Sequence, residues 1–116
     1  MKKQPFRRRL GFALAGIAEG WRGERSLRTH IVSAVATLAA LALLRPPPIW
    51  WAVIVLVIAL VLASELLNSA IEGLVDHLHP EIHPRIRVVK DMAAGAVLTA
   101  AIAALMIAGL LALDML

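Results

Sequence analysis

An all-α integral membrane protein, with three transmembrane helices preceded by an N-terminal amphipathic surface helix, is the fold class this sequence predicts. Three observations predict it. Sixty per cent of the 116 residues are hydrophobic and the mean hydropathy is +0.81, against roughly 45–50% apolar content in soluble domains. The apolar residues gather in three runs, each near the roughly 20 residues that a bilayer crossing needs. The basic residues lie beside those runs, with no fold-sized soluble surface to carry a nucleic-acid groove, so the net charge of +4 is explained by the membrane.

In chain order, Lys2, Lys3, Arg7, Arg8 and Arg9 lead into Leu10, Leu14, Ile17 and Trp21, whose spacing describes one apolar stripe. Residues 5–25 therefore predict an interfacial helix on anionic lipid. A signal peptide is the competing reading of a basic start before Ala13-Leu14-Ala15, but the alanines and glycines make a weak apolar core. The first long run, Ile31 to Leu44, stops at Arg45-Pro46-Pro47-Pro48, where three prolines cannot continue a helix. It extends backward past His30, with Arg28 snorkelling, to give a helix over 28–45. The second run, Ile49 to Ala63, holds no polar residue and continues into an acidic stretch, predicting one helix over 49–76. The third, Met92 to Leu113, is polar only at Thr99 and predicts a helix over 91–113, with small residues from Ala93 to Ala108 that permit close helix approach. Residues 1–116 form a single domain on this reading.

Eight Lys and Arg residues fall in residues 1–28, three (Arg85, Arg87, Lys90) between the second and third runs, one (Arg45) at the proline turn, and none after Leu113. The positive-inside rule places the N-terminus and the 76–91 segment in the cytoplasm, with Trp50 and Trp51 in the outer interfacial belt. With no cysteine in the chain, disulfides and thiolate metal sites are excluded.

The chemistry concentrates where the second run ends. At 3.6 residues per turn, Glu65, Asn68, Glu72 and Asp76 fall on one stripe. Ionisable groups near hydrocarbon cost several kcal/mol unless paired, hydrated or neutralised, so such a ladder marks a functional site. Glu24, Glu72, Asp76, Glu81, Lys90 and Asp91 all come to the cytoplasmic face, while Glu65 lies about 10 Å deeper than Glu72. A deep carboxylate reaches the head of a lipid; a shallower pair can hold magnesium on phosphate oxygens. Phosphoryl transfer needs a base, a metal on the β- and γ-phosphates and donors for the developing charge. Glu65 is the candidate base, Glu24 with Glu72 the metal pair, and Lys90 the donor. No Walker A motif and no protein-kinase glycine loop is present.

Glu65-Leu66-Leu67-Asn68-Ser69-Ala70-Ile71-Glu72-Gly73-Leu74-Val75-Asp76, followed by Val89-Lys90-Asp91-Met92-Ala93-Ala94-Gly95, resembles the signature of the prokaryotic diacylglycerol kinases and the related undecaprenol kinases. Glu24-Arg25-Ser26-Leu27-Arg28-Thr29-His30 resembles the family's upstream segment, with Ser26 in place of its asparagine. The resemblance spans Phe12 to Leu113. It implies a catalytic base at Glu65 supported by Asn68, and the metal of magnesium-ATP at Glu24 and Glu72. It also implies a nucleotide site that includes Phe12, Glu24, Glu72, Glu81, His83, Lys90 and Asp91, with lipid contacts at Glu65, Ala94 and Arg28. A homotrimer with composite sites in the bacterial cytoplasmic membrane is implied as well. The expected reaction is ATP-dependent phosphorylation of diacylglycerol to phosphatidic acid, with undecaprenol as the alternative acceptor. Ala93-Ala94-Gly95 is similar to the undecaprenol-type spelling, and Asn68-Ser69 to the diacylglycerol-type one.

Other readings of the same residues are weaker. Glu65 and Asn68 as interhelical hydrogen-bond glue would leave Glu24, Glu72, Lys90 and Asp91 unexplained. A small proton-coupled transporter would place its carboxylate nearer mid-bilayer. His77, His79 and His83 resemble zinc ligands in type, but Pro80 and Pro84 break any helix that would align them, so they belong to a solvated loop.

Overall fold

A computed structural model describes residues 2–116, and among these the secondary structure is entirely helical: α1 spans Phe6–Gly23, α2 Arg25–Leu44, α3 Pro48–Leu78 and α4 Pro84–Asp114. The last three are each long and apolar enough to cross a membrane. Helices α3 and α4 have 31 residues each, about 46 Å of rise, against a hydrocarbon core of about 30 Å. Each therefore extends well beyond the lipid. The extension of α3 carries the acidic ladder.

Local chemistry sets the boundaries. Both long helices begin with proline in the first turn (Pro48, Pro84), where its missing N–H costs nothing and its φ suits the helix. His83 caps α4, its Nδ1 accepting the Arg85 N–H at 3.1 Å. Helix α4 accordingly starts seven residues before the expected 91. The charged stretch around Arg85, Arg87 and Lys90 is not loop but helix outside the apolar run, and the connection to α3 shrinks to residues 79–83. At the other end of the chain, α1 and α2 are separated by Glu24 alone, held extended at φ −120°. Its N–H donates to the Gly20 carbonyl at 2.9 Å and its own carbonyl accepts from Arg28 N–H at 3.2 Å. One residue thus closes α1 and opens α2, which starts at Arg25 and not at 28. Helix α2 ends on Arg45 in the left-handed region (φ 53°, ψ 55°), just ahead of the three prolines.

Helix α4 lies along α3, α2 leans on α3, and α1 touches α2 and α3. Gly20 makes that approach possible: a Cβ there would sit 2.6 Å from Leu27 Cδ2 and 3.1 Å from Leu66 Cδ2. No residue of α1 is buried. At the opposite end of the bundle Leu41, Ile54 and Leu111 form a core cluster covered by Trp50, Trp51, Ile58 and Ile107. Trp50 Nε1 there donates to Asp114 Oδ2 at 2.8 Å, tying the start of α3 to the end of α4. Three hydroxyls in or beside the apolar stretches are satisfied by their own helices, Thr37 on the Ser33 carbonyl, Ser64 on Leu60 and Thr99 on Gly95. They add no unpaired donor to the membrane segment.

Candidate functional site

The acidic stripe of α3 is graded in burial as well as in height. Glu65 is buried, at 5% exposure, and is the one charged residue in that class among the described residues. Asn68 and Glu72 are half-buried, and Asp76 is exposed. A carboxylate withdrawn from water needs a partner. Glu65 has one in His30 of α2, whose Nε2 lies 3.1 Å from Glu65 Oε1. A turn further along, Asn68 Oδ1 is buried with no hydrogen-bond partner among the described residues. A buried acceptor in that state costs about 1–3 kcal/mol until a donor reaches it.

Where the stripe meets water, α3 and α4 enclose a hollow of about 300 Å³ that includes Asp76, His79, Glu81, His83, Lys90 and Asp91 in its wall. Lys90 donates to Asp76 Oδ1 across the two helices. Arg87 lies 3.8 Å from Asp91 along α4, and the His79 and His83 rings meet edge to face with centroids 5.9 Å apart. The hollow therefore offers ammonium, guanidinium and imidazole groups beside carboxylates, a donor-rich wall suited to a polyanion that brings its own cation.

Of the residues singled out in the sequence, the fold brings Glu81, His83, Lys90 and Asp91 together in this hollow. Glu65, Asn68 and Glu72 line up above it on α3. Glu24 stands half-buried at the α1–α2 corner. Phe12 is exposed on α1 and lines a separate shallow hollow with Phe6 and Arg9. Arg28 is exposed beside Trp21 and Thr29, and Ala94 is exposed on α4. None of these three lines the wall of the Lys90 hollow. His77, His79 and His83 form no metal cage: no group of three or more His, Asp or Glu side chains is placed to hold an ion among the described residues. Glu24 and Glu72 are each half-buried carboxylates, the side-chain type that magnesium takes beside waters and phosphate oxygens.

His30 is the residue that sequence reasoning passed over. The usable signal was a titratable ring on a spanning helix, at the same end of the bundle as Glu65.

A family model described as prokaryotic diacylglycerol kinase matches residues 11–112. No curated protein matches the chain.

Proposed function

The chain belongs to the prokaryotic diacylglycerol kinase family, a family of membrane lipid kinases, and from that premise we propose that it transfers the γ-phosphoryl group of ATP to the hydroxyl of diacylglycerol, giving phosphatidic acid. The observation that supports this most directly is the buried Glu65 at the lipid end of a stripe whose other end opens into the Lys90 hollow. An oily alcohol and a water-borne nucleotide can meet along such a stripe, and few other tasks require one.

In this mechanism Glu65 accepts the hydroxyl proton as the lipid oxygen attacks the γ-phosphorus and ADP leaves with the bridging oxygen. Asn68, one turn away, orients the acceptor. Lys90, Asp91, Glu81 and His83 hold the nucleotide, Lys90 exchanging its contact with Asp76 for phosphate oxygens. Glu24 and Glu72 would hold magnesium together with those phosphates, and the ion would supply neutralising charge to the transferring group. Arg28 and Ala94 take the lipid. Phe12 and Ala94 point to a further part of the proposal, a homotrimer in which a neighbouring chain's surfaces complete each site. The N-terminus and the α3–α4 connection face the cytoplasm, where ATP is found, as the distribution of Lys and Arg requires.

The test is an assay of the purified protein in mixed micelles with γ-labelled ATP, run side by side with diacylglycerol and with a polyprenol. Label in phosphatidic acid is the expected result. Preferential label in the polyprenol would move the substrate to the other branch, and no label in any lipid alcohol would overturn the kinase assignment.

A further inference from the structure

Resting on the kinase reading above, we infer that His30 is a positioning residue and proton outlet for Glu65, the imidazole that returns the base to its carboxylate form between turnovers. A proton accepted from the lipid hydroxyl leaves Glu65 as a neutral acid, and a second cycle needs that proton removed. The Glu65 side chain is 6% exposed, so bulk water is a poor recipient, whereas His30 is 31% exposed and its Nε2 lies 3.1 Å from Glu65 Oε1. That separation is within the roughly 2.6–3.2 Å over which protons pass between heavy atoms.

The surroundings leave His30 as the recipient. From α3 it faces Glu65, and the remaining α3 wall of the adjoining cleft of about 350 Å³ is apolar, Ile54, Val57, Ile58 and Val61. From α4 the cleft receives Ala101, Ala104, Leu105 and Ala108, none of them titratable. Helix α1 reaches this end of the bundle through Gly20, which approaches Leu27 and Leu66. The charged groups nearest in sequence, Glu24 at the corner and Arg25 and Arg28 on α2, form no ion pair with either His30 or Glu65 among the described residues. The step balances without any further reagent. The O–H proton goes to Glu65 as the O–P bond forms and the bond to the ADP oxygen breaks. It then moves to His30 Nε2, and the imidazolium releases it to interfacial water. Contact with His30 also fixes which way the Glu65 carboxylate points.

Full-length His30→Gln keeps a polar side chain that cannot accept a proton. In material with the parent's melting temperature, its kcat is expected to fall about 10- to 100-fold, below the full loss of a general base, with KM for ATP within about twofold because the Lys90 hollow is untouched. The pH–rate profile should change shape, and added imidazole should restore part of kcat to His30→Ala. A second measurement does not need these variants to fold. Replacing His77, His79 and His83 by Gln leaves His30 as the one imidazole, and its ¹⁵N resonances should shift on Glu65→Gln. An active parent alongside a His30→Gln variant with parental kcat and pH profile, or ¹⁵N resonances indifferent to Glu65→Gln, would overturn the assignment to His30 alone. A parent that phosphorylates no lipid would instead remove the kinase reading itself.

Discussion

Replacing Glu65 by Gln changes one oxygen to an amide nitrogen and leaves the side-chain volume almost unchanged, so the helix packing around a residue 5% exposed is retained. What disappears is the ability to take a proton. A positioned general base contributes typically 10²- to 10⁴-fold, or about 2.7–5.5 kcal/mol of barrier at 1.36 kcal/mol per tenfold. The effect on the nucleotide is far smaller and can be bounded from the helix. Asp76, in the wall of the hollow, is 11 residues beyond Glu65 on α3, about 16 Å at 1.5 Å per residue. One unit charge acting over that distance is worth about 0.3 kcal/mol at a water-like dielectric and about 1 kcal/mol at an effective value near 20, less after salt screening. Its sign is also opposite to a loss, because removing a negative charge near a polyanion favours binding. Turnover of γ-labelled ATP into lipid at saturating acceptor, beside nucleotide affinity by equilibrium titration, separates the two quantities. The expected pattern is kcat down at least about 100-fold and nucleotide affinity changed less than about fivefold. Near-parental kcat, or a fall in affinity that matches the fall in kcat, would refute a base at this position.

The remaining predictions concern the shallower half of the site and the corner that positions it. Glu24→Gln and Glu72→Gln should each raise KM for magnesium-ATP about 10- to 100-fold, the worth of one charged contact of about 1.5–3 kcal/mol, and excess magnesium should recover part of the loss; an unchanged magnesium titration would remove them as ligands. Lys90→Ala should weaken nucleotide binding at least about tenfold while lowering the melting temperature very little, since the partly exposed pair with Asp76 is worth about 0–1 kcal/mol. Equal damage to stability and binding would make Lys90 a structural residue. Gly20→Ala sets a gain of about 0.5–1 kcal/mol in helix propensity against overpacking of about 1–3 kcal/mol at a Cβ 2.6 Å from Leu27; a net loss of about 1 kcal/mol should appear as a lower melting temperature in detergent, and a more stable variant would show that the corner yields freely.

The three spans were legible because hydropathy is a local property. A run such as Ile49 to Ala63 excludes water wherever it is placed, and lipid demands a helix of it. The acidic stripe was legible for the same reason, since a period of 3.6 needs only one helix to be correct. The start of α4 was not. Arg85, Arg87, Lys90 and Asp91 look like a solvated connection when hydropathy is the guide, but a proline in the first turn and the His83 cap begin the helix regardless of whether lipid surrounds it. Among the candidate residues, those close together in sequence are the ones the fold gathers. Glu81, His83, Lys90 and Asp91 lie within 11 residues of one another and meet in one hollow, whereas Phe12, Arg28 and Ala94 lie outside its wall.

By itself the sequence determined the number of crossings, the depth order of Glu65, Asn68, Glu72 and Asp76, and the family to which those residues belong. All of these follow from side-chain chemistry repeated along a single helix. Only tertiary structure decided that Glu65 faces His30, that Asn68 Oδ1 is buried without a partner among the described residues, and that Lys90 reaches Asp76. Those facts depend on how α2 and α4 are rotated against α3, and rotation about a helix axis is set by packing between residues 14 to 35 positions apart, which no local pattern records.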